Sequence, residues 1–368
     1  MKNYSIILLS ALLFLGSSGC NQQYRQLAAE KKAKNIILLI GDGMGLAQAS
    51  TAFYFQEAEP NFVRFPVIGL HQNPATDALI TDSAAGATAF STGYKSYNAA
   101  IGVDSDTISR PTILELAARQ GKSTGLIATS SITHATPASF FAHTAHRNNA
   151  EDIAGQLPAA PVDFFAGGGL QYFNQRTDGA NYLDSLAARG FQVYTHKLER
   201  PATLDPGKKY GYLLAPDGLP KMQEGRGDFL PTATKLALDC LSQDKDGFFL
   251  MVEGSQIDWG GHNNDPEYVI QETLDFDRAI GVALDFAEKD GNTLVVVTAD
   301  HETGGMSLSA AEVRMQADYR HIKPTFSTGG HSASLIPVYA YGPGAALFMG
   351  VYQNNDIFGK MWKAFRLR

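Results

Sequence analysis

The sequence predicts an α/β fold, a mostly parallel central sheet with helices on both faces. Three observations carry that prediction: four short apolar runs bounded by polar, glycine or proline signals, helical spacing of apolar residues between them, and acidic or histidine residues placed at the ends of the runs. The 368 residues include 30 Lys+Arg and 37 Asp+Glu, a formal charge of −7, and 44% are hydrophobic. That composition suits a globular chain able to bury a core without disulfides, and it excludes disorder, collagen and coiled coil. No block of Lys or Arg forms an electrostatic footprint, so nucleic acid is not expected as a specific partner.

The first segment stands apart from the fold. Lys2 precedes an apolar run from Ile6 to Leu15 that closes on Gly16, Ser17, Ser18, Gly19 and Cys20. Ten residues are too few to span a bilayer. Residues 1–20 read as an export signal, and the small-residue stretch closing on cysteine resembles the site where bacterial lipoproteins are cut and acylated. Ser17 stands where an aliphatic residue is usual, so simple secretory cleavage stays open. The expected location is therefore the periplasm, or the envelope with membrane attachment through a lipidated Cys20. The one other cysteine is Cys240, so stability without disulfides is expected. Residues 21–33 read as a polar linker and 34–368 as a single catalytic α/β domain.

The apolar runs are Asn35 to Ile40, Gly247 to Val252, Thr293 to Thr298 and Leu335 to Ala340. Each is short enough for a buried parallel strand. Between the second and third, Asn263 to Asp290 reads as a helix: Pro266 suits its first turn, and Ile270, Leu274, Ala279, Ile280 and Leu284 recur at helical spacing. The segment Val162 to Gly169 reads as a scaffold turn because of its three closing glycines.

Functional residues of such folds lie past the carboxyl ends of strands. The first run leads into Gly41-Asp42-Gly43-Met44-Gly45, the second into Glu253 and Asp258, the third into Asp300 and His301, and the last is preceded by His331. The first loop is not a dinucleotide fingerprint, since Leu46 occupies the position of the third glycine and Asp42 would repel a pyrophosphate unless a cation lay between them. Asp258 and His262 stand four apart and can face one cation. Mixed carboxylate and imidazole donors suit zinc, and all seven residues would reach one sheet edge. His71, His143, His146, His196 and His321 are read as structural or surface histidines.

A nucleophile candidate lies in Thr81 to Ala89, a small-residue stretch. Asp82 and Ser83 can open a helix whose amino end favours negative charge on Ser83; the same pair is also a common helix cap. The nucleophile turn of esterases, Gly-x-Ser-x-Gly, is absent from the chain, so a metal rather than a histidine would activate Ser83. From His134 to Arg147 the chain reads as a loop, a Pro-started helix and a terminal arginine. Thr136 fits a cap before Pro137. In a cleft, Arg147 could grip two phosphate oxygens.

These residues carry a resemblance to the alkaline phosphatases, zinc-dependent phosphomonoesterases. It rests on Gly-Asp-Gly-Met at 41–44, Asp-Ser-Ala-Ala at 82–85, His-Ala-Thr-Pro at 134–137 with Arg147, Glu-Gly-Ser-Gln-Ile-Asp at 253–258 with His262, and Thr-Ala-Asp-His at 298–301, in one consistent order. The resemblance implies that Ser83 is transiently phosphorylated and that Arg147 clamps phosphate. It implies one zinc on Asp258, His262 and His331, a second on Asp42, Asp300 and His301, and a magnesium-type site on Asp42, Thr136 and Glu253. His134 and Trp259 replace an aspartate and a basic residue found in some members, so the third site could take another divalent metal. Only 29 residues separate His301 from His331, which implies a compact bacterial form. Relatives are often dimers, so a homodimer is an expectation of the same kind.

The expected activity is release of inorganic phosphate from small phosphomonoesters, with an alkaline optimum. Two alternatives stay open at this point: a phosphodiesterase or sulfatase of the same superfamily, and a non-enzymatic lipoprotein that binds phosphate or metal. Glu253, Thr136 and Arg147 favour the first reading, because a third cation and an arginine fork match a dianionic monoester. Rates on aryl phosphate and bis-aryl phosphate at saturating zinc separate the enzymes: the monoester should dominate, and dominant diester cleavage would reverse the assignment.

Overall fold

Strand β1 (Asn35–Gly41) shows why the sheet must be covered on both sides. Its seven residues are all buried; Ile36, Leu38 and Ile40 pack into one core and Ile37 and Leu39 into another. A strand that is apolar on both faces belongs in the centre of a parallel sheet clothed by helices. The computed structural model describes residues 31–205, 207–313 and 316–365. The expected export signal, Cys20 and residues 21–30 of the linker lie outside the described residues. Ala33 is fully buried and its N–H donates to the Ala364 carbonyl at 2.9 Å.

The following strands are β2 (Val67–Gln72), β3 (Ser123–Ser131), β4 (Phe164–Gly168), β5 (Phe191–Tyr194), β6 (Lys209–Leu213), β7 (Phe248–Gly254) and β8 (Thr293–Thr298). After them come β9 (Glu302–Thr303), β10 (Ser307–Val313), β11 (Gln316–Thr325), β12 (His331–Ser332), β13 (Ile336–Tyr341) and β14 (Gly350–Gln353). Ten form one sheet in the order β14-β2-β13-β8-β1-β7-β3-β4-β6-β5. β1 lies between β7 and β8, parallel to both. Helices Phe229–Leu241 and Pro266–Asp290 cover the Ile37 face. Helices Ser83–Thr92, Ile113–Arg119 and Asp356–Phe365 cover the other. No described helix is long and apolar enough to cross a membrane.

Two expectations change. The run from Leu335 to Ala340 does hold a buried strand, β13 from Ile336 onward, but it pairs antiparallel with both β2 and β8. The reason is topological: no helix follows β8 to carry the chain back to the opposite edge, so the chain must turn and descend. The segment from 162 to 169 is not a turn, for Phe164–Gly168 forms β4 between β3 and β6. Burial of Phe164, Phe165 and Ala166 outweighs the glycine signal, and only Gly169, at φ +98°, leaves strand geometry.

The long helix starts at Pro266, as expected of a proline in the first turn, and Asp265 caps it by accepting the Tyr268 N–H at 3.1 Å. Between β9 and β12, β10 and β11 form a two-stranded antiparallel hairpin. It fills most of the short interval between His301 and His331.

Candidate active site

Most of the carboxylate and imidazole candidates lie at or just past the end of a strand of the sheet, so they converge without long excursions. Asp42 follows β1, Glu253 is the penultimate residue of β7, Asp258 and His262 lie on the helix Gln256–His262 just beyond it, and Asp300 and His301 follow β8. His331 opens β12, paired with Thr303 of β9. Two glycines permit the close packing. Gly43 has φ +74°, and a Cβ there would lie 2.7 Å from the Asp258 Cα; a Cβ on Gly86 would lie 2.9 Å from the Asp300 Cβ. Any larger residue would push the Asp42 loop or the Ser83 helix away from the site.

The side chains form three adjoining groups. His262 Nε2 lies 3.4 Å and His331 Nε2 3.7 Å from Asp258 Oδ1, and the two imidazole nitrogens are 3.1 Å apart. His301 Nε2 lies 3.6 Å from Asp42 Oδ1 and 3.2 Å from Asp300 Oδ2. Asp42, His134 and Glu253 bring one donor atom each within 4.8 Å of the others. Thr136 Oγ1 donates to Asp42 Oδ2 at 3.4 Å. Thr136 is not a helix cap: the short helix Ala135–Ala138 begins before it, with His134 at the cap position, and its hydroxyl turns into the site instead.

The electrostatics of this cluster are unfavourable as it stands. Burial, then the charges of Asp300, Asp258 and Glu253, push the Asp42 carboxyl well above its ordinary range. Glu253 is pushed up to about 8, first by burial. Asp300 is raised by burial against the opposing Gly43 N–H. Burial holds His134 at about 3, aided by the Arg147 charge, and His301 at about 3, aided by His331. Asp300 Oδ2, Glu253 Oε1 and His134 Nδ1 are buried without a hydrogen-bond partner. Neutral imidazoles and repelling carboxylates with orphaned atoms are the donor set of a cation site.

Ser83 is the first residue of the helix Ser83–Thr92, and Asp82 caps it by accepting the Ala85 N–H at 3.0 Å. The Ser83 hydroxyl lies 3.3 Å from His301 Nε2 and 3.5 Å from Asp42 Oδ1. Arg147 lies in a turn rather than at a helix end. Its Nη1 donates to Asp82 Oδ2 at 3.0 Å and its Nη2 lies 3.3 Å from His134 Nε2. Burial raises the Asp82 carboxyl, but Arg147 and the Ala85 and Ala99 N–H groups outweigh it and hold Asp82 below its usual range. Trp259 packs edge-on to the His134 ring, with centroids 6.1 Å apart.

Several partners escape sequence reasoning. His262 Nδ1 and His331 Nδ1 lie 2.8 Å from the carbonyls of Gly329 and Thr81, fixing both rings with Nε2 toward Asp258. Thr303 donates to Asp258 Oδ1 at 2.5 Å and lies 3.2 Å from His301 Nδ1. Ser130 donates to Glu253 Oε2 at 3.4 Å. A hydroxyl or carbonyl gives no signal in sequence when its partner is dozens of residues away.

The alkaline phosphatase family model matches residues 33–325. The chain belongs to the alkaline phosphatase family. Alkaline phosphatase 3 of Bacillus subtilis is 34% identical over 99% of this chain and 97% of its own length. Alkaline phosphatase of Escherichia coli is 32% identical over 94% and 88% respectively. Among solved structures, the alkaline phosphatase of the Antarctic bacterium TAB5 superposes with a TM-score of 0.90 at 52% identity, covering 92% of this chain and 99% of that one. This alkaline phosphatase family member is accordingly a phosphomonoester hydrolase, and the mostly parallel sheet with flanking helices is the architecture it shares with that neighbour.

The buried carboxylates of this alkaline phosphatase make its metal-free stability depend on pH. Glu253 has a folded pKa of about 8 against an ordinary 4.5. Its stabilising contribution is therefore present below about pH 4.5 and lost as pH rises through 8. Metal-free protein should show a falling Tm from pH 6 to 9, while divalent-loaded protein should not, so the gap between them widens. Thermal melts of both forms across that range check this; a constant or shrinking gap contradicts a cation-binding role for the cluster.

Proposed function

We propose that phosphomonoester hydrolysis proceeds through a phosphoserine on Ser83. The single observation that supports this most directly is the Ser83 hydroxyl at a helix amino terminus, within 3.5 Å of both Asp42 and His301. The helix dipole and its free N–H groups favour negative charge on that oxygen and on a phosphoryl group attached to it. His301, the imidazole beside Ser83, is a cation ligand in this reading and so does not serve as a histidine base of the esterase kind.

The donor atoms fit divalent cations, as the unpartnered Asp300, Glu253 and His134 atoms indicate. We assign zinc to Asp258, His262 and His331 and to Asp42, Asp300 and His301, because both sets mix imidazole and carboxylate. Asp42, Thr136 and Glu253 offer oxygen donors suited to magnesium, and His134 Nδ1 beside them would also suit zinc or cobalt. A histidine-to-aspartate variant of the TAB5 enzyme is described with magnesium bound in its M3 site. Cations bound at these sets would supply positive charge to the attacking and leaving oxygens of an in-line displacement and would acidify hydroxyl groups.

The chain's own residues do the positioning. Asp82 orients Arg147 through Nη1, directing a planar fork beside Ser83 that can hold two non-bridging phosphoryl oxygens. Charge on those oxygens dominates the loose transition state, so Arg147 acts by electrostatic stabilisation. Thr81 and Gly329, through their carbonyls, keep His331 and His262 facing the leaving side. The leader from Lys2 to Cys20 supports export to the periplasm or to the envelope as a lipoprotein, and assembly as a homodimer rests on the resemblance alone.

Replacing Ser83 by Ala should abolish turnover of aryl phosphate while leaving the zinc content measured by elemental analysis unchanged; unaltered turnover would remove Ser83 as nucleophile. Arg147→Ala should lower kcat/KM about 100-fold or more and weaken inhibition by inorganic phosphate. An effect on kcat/KM without any on phosphate inhibition would argue against a direct phosphate contact. Chelation should abolish activity, and zinc should be required to restore it.

A further inference from the structure

In-line displacement expels the alcohol on the side opposite the attacking oxygen. Ser83 sits on the Asp42/His301 side of the site, so the departing alcohol faces Asp258, His262 and His331. His262 is also part of the wall of an open cavity of about 480 Å³, whose lining includes Leu219, Lys221, Glu224, Trp259, Asn263 and Tyr268. That is the volume range of small-molecule sites.

The part of the wall formed by Leu219, Lys221 and Tyr268 is held by hydrogen bonds. The Leu219 carbonyl accepts from Gln256 Nε2 at 2.7 Å, and Tyr268 donates its hydroxyl to Gln256 Oε1 at 2.7 Å. Three residues on from Leu219, the Met222 N–H donates to Glu272 at 2.9 Å. Arg226, with 2% of its side chain exposed, is paired with Glu272 and, at 2.8 Å, with Asp275. Lys221 therefore stands between two buried anchors rather than on a free loop. Its ammonium lies 4.9 Å from the Tyr268 ring centroid and 3.4 Å from Glu224, which is largely exposed. Trp259, partly exposed, gives the cavity an aromatic wall, and no part of the proposed chemistry at Ser83 uses Lys221.

We propose that this cavity is a leaving-group subsite, in which Trp259 packs against a flat ring and Lys221 pairs with a second anionic group carried by that ring. The favoured substrates are then phosphomonoesters of aromatic or heterocyclic alcohols bearing another negative charge. The inference rests on Ser83 being the nucleophile, because that fixes the side on which the alcohol leaves.

Phenyl phosphate and 4-carboxyphenyl phosphate test it with the metal-loaded enzyme. Lys221→Ala should lower kcat/KM for the carboxylated ester about three- to fivefold, as for a partly exposed ion pair. The loss should come through KM and shrink at high salt, with phenyl phosphate little changed. Lys221→Arg should keep the preference, and Glu224→Gln, which frees the ammonium, should increase it. Equal losses on both esters, or no change in their ratio in any variant, would overturn the subsite while leaving the hydrolytic reading intact. Failure of wild-type enzyme to cleave either ester would bring down both readings.

Discussion

Four carboxylates buried within one small volume are the constraint on which the rest of this molecule depends. Asp42, Glu253 and Asp300 are completely enclosed and Asp258 nearly so. Burying even one unpaired charge is costly, and here the neighbours repel each other as well. The chain answers with few cations of its own: Arg147 is committed to Asp82, and the imidazoles of His134 and His301 are held neutral. The unfavourable arrangement is therefore a binding energy held in reserve for divalent ions, as the fold's position in the alkaline phosphatase family leads one to expect.

The sheet makes the arrangement achievable. Parallel neighbours β7, β1 and β8 end at the same level, so Glu253, Asp42 and Asp300 emerge side by side from the most deeply buried part of the molecule. The backbone there is held by ladder hydrogen bonds and by apolar residues on both faces, which leaves little freedom for the carboxylates to move apart. Gly43 and Gly86 then bring the Asp258 helix and the Ser83 helix to within van der Waals contact of those strand ends. A rigid scaffold thereby fixes groups whose mutual repulsion would otherwise separate them.

Much of this was legible in the residues themselves. Asn35 to Ile40 and Thr293 to Thr298 are apolar without interruption, as strands covered on both faces must be, and ligand-type residues follow them directly. Asp82 before Ser83 announced a helix start. The reversed direction of β13 was also present in the order of its residues, since His331 precedes its strand where Asp42 and Asp300 follow theirs, but periodicity alone carries no direction. β4 was obscured because its glycines outvoted its phenylalanines in a local reading. Thr303, Ser130 and the carbonyl of Thr81 have roles that exist only through contacts made across the sheet edge, and the Arg226 clamp pairs residues some fifty positions apart.

The reversal at β13 has an evolutionary consequence. Because the chain leaves β8 and enters β13 at one edge, the β10/β11 hairpin is spliced into a path that already closes on itself. Added length there enlarges a closed loop, whose entropic penalty grows only logarithmically, and it disturbs no ladder of the ten-stranded sheet. The fold thus carries a tolerant insertion point beside its reaction centre, where new surface elements can be gained or shed without renegotiating the core.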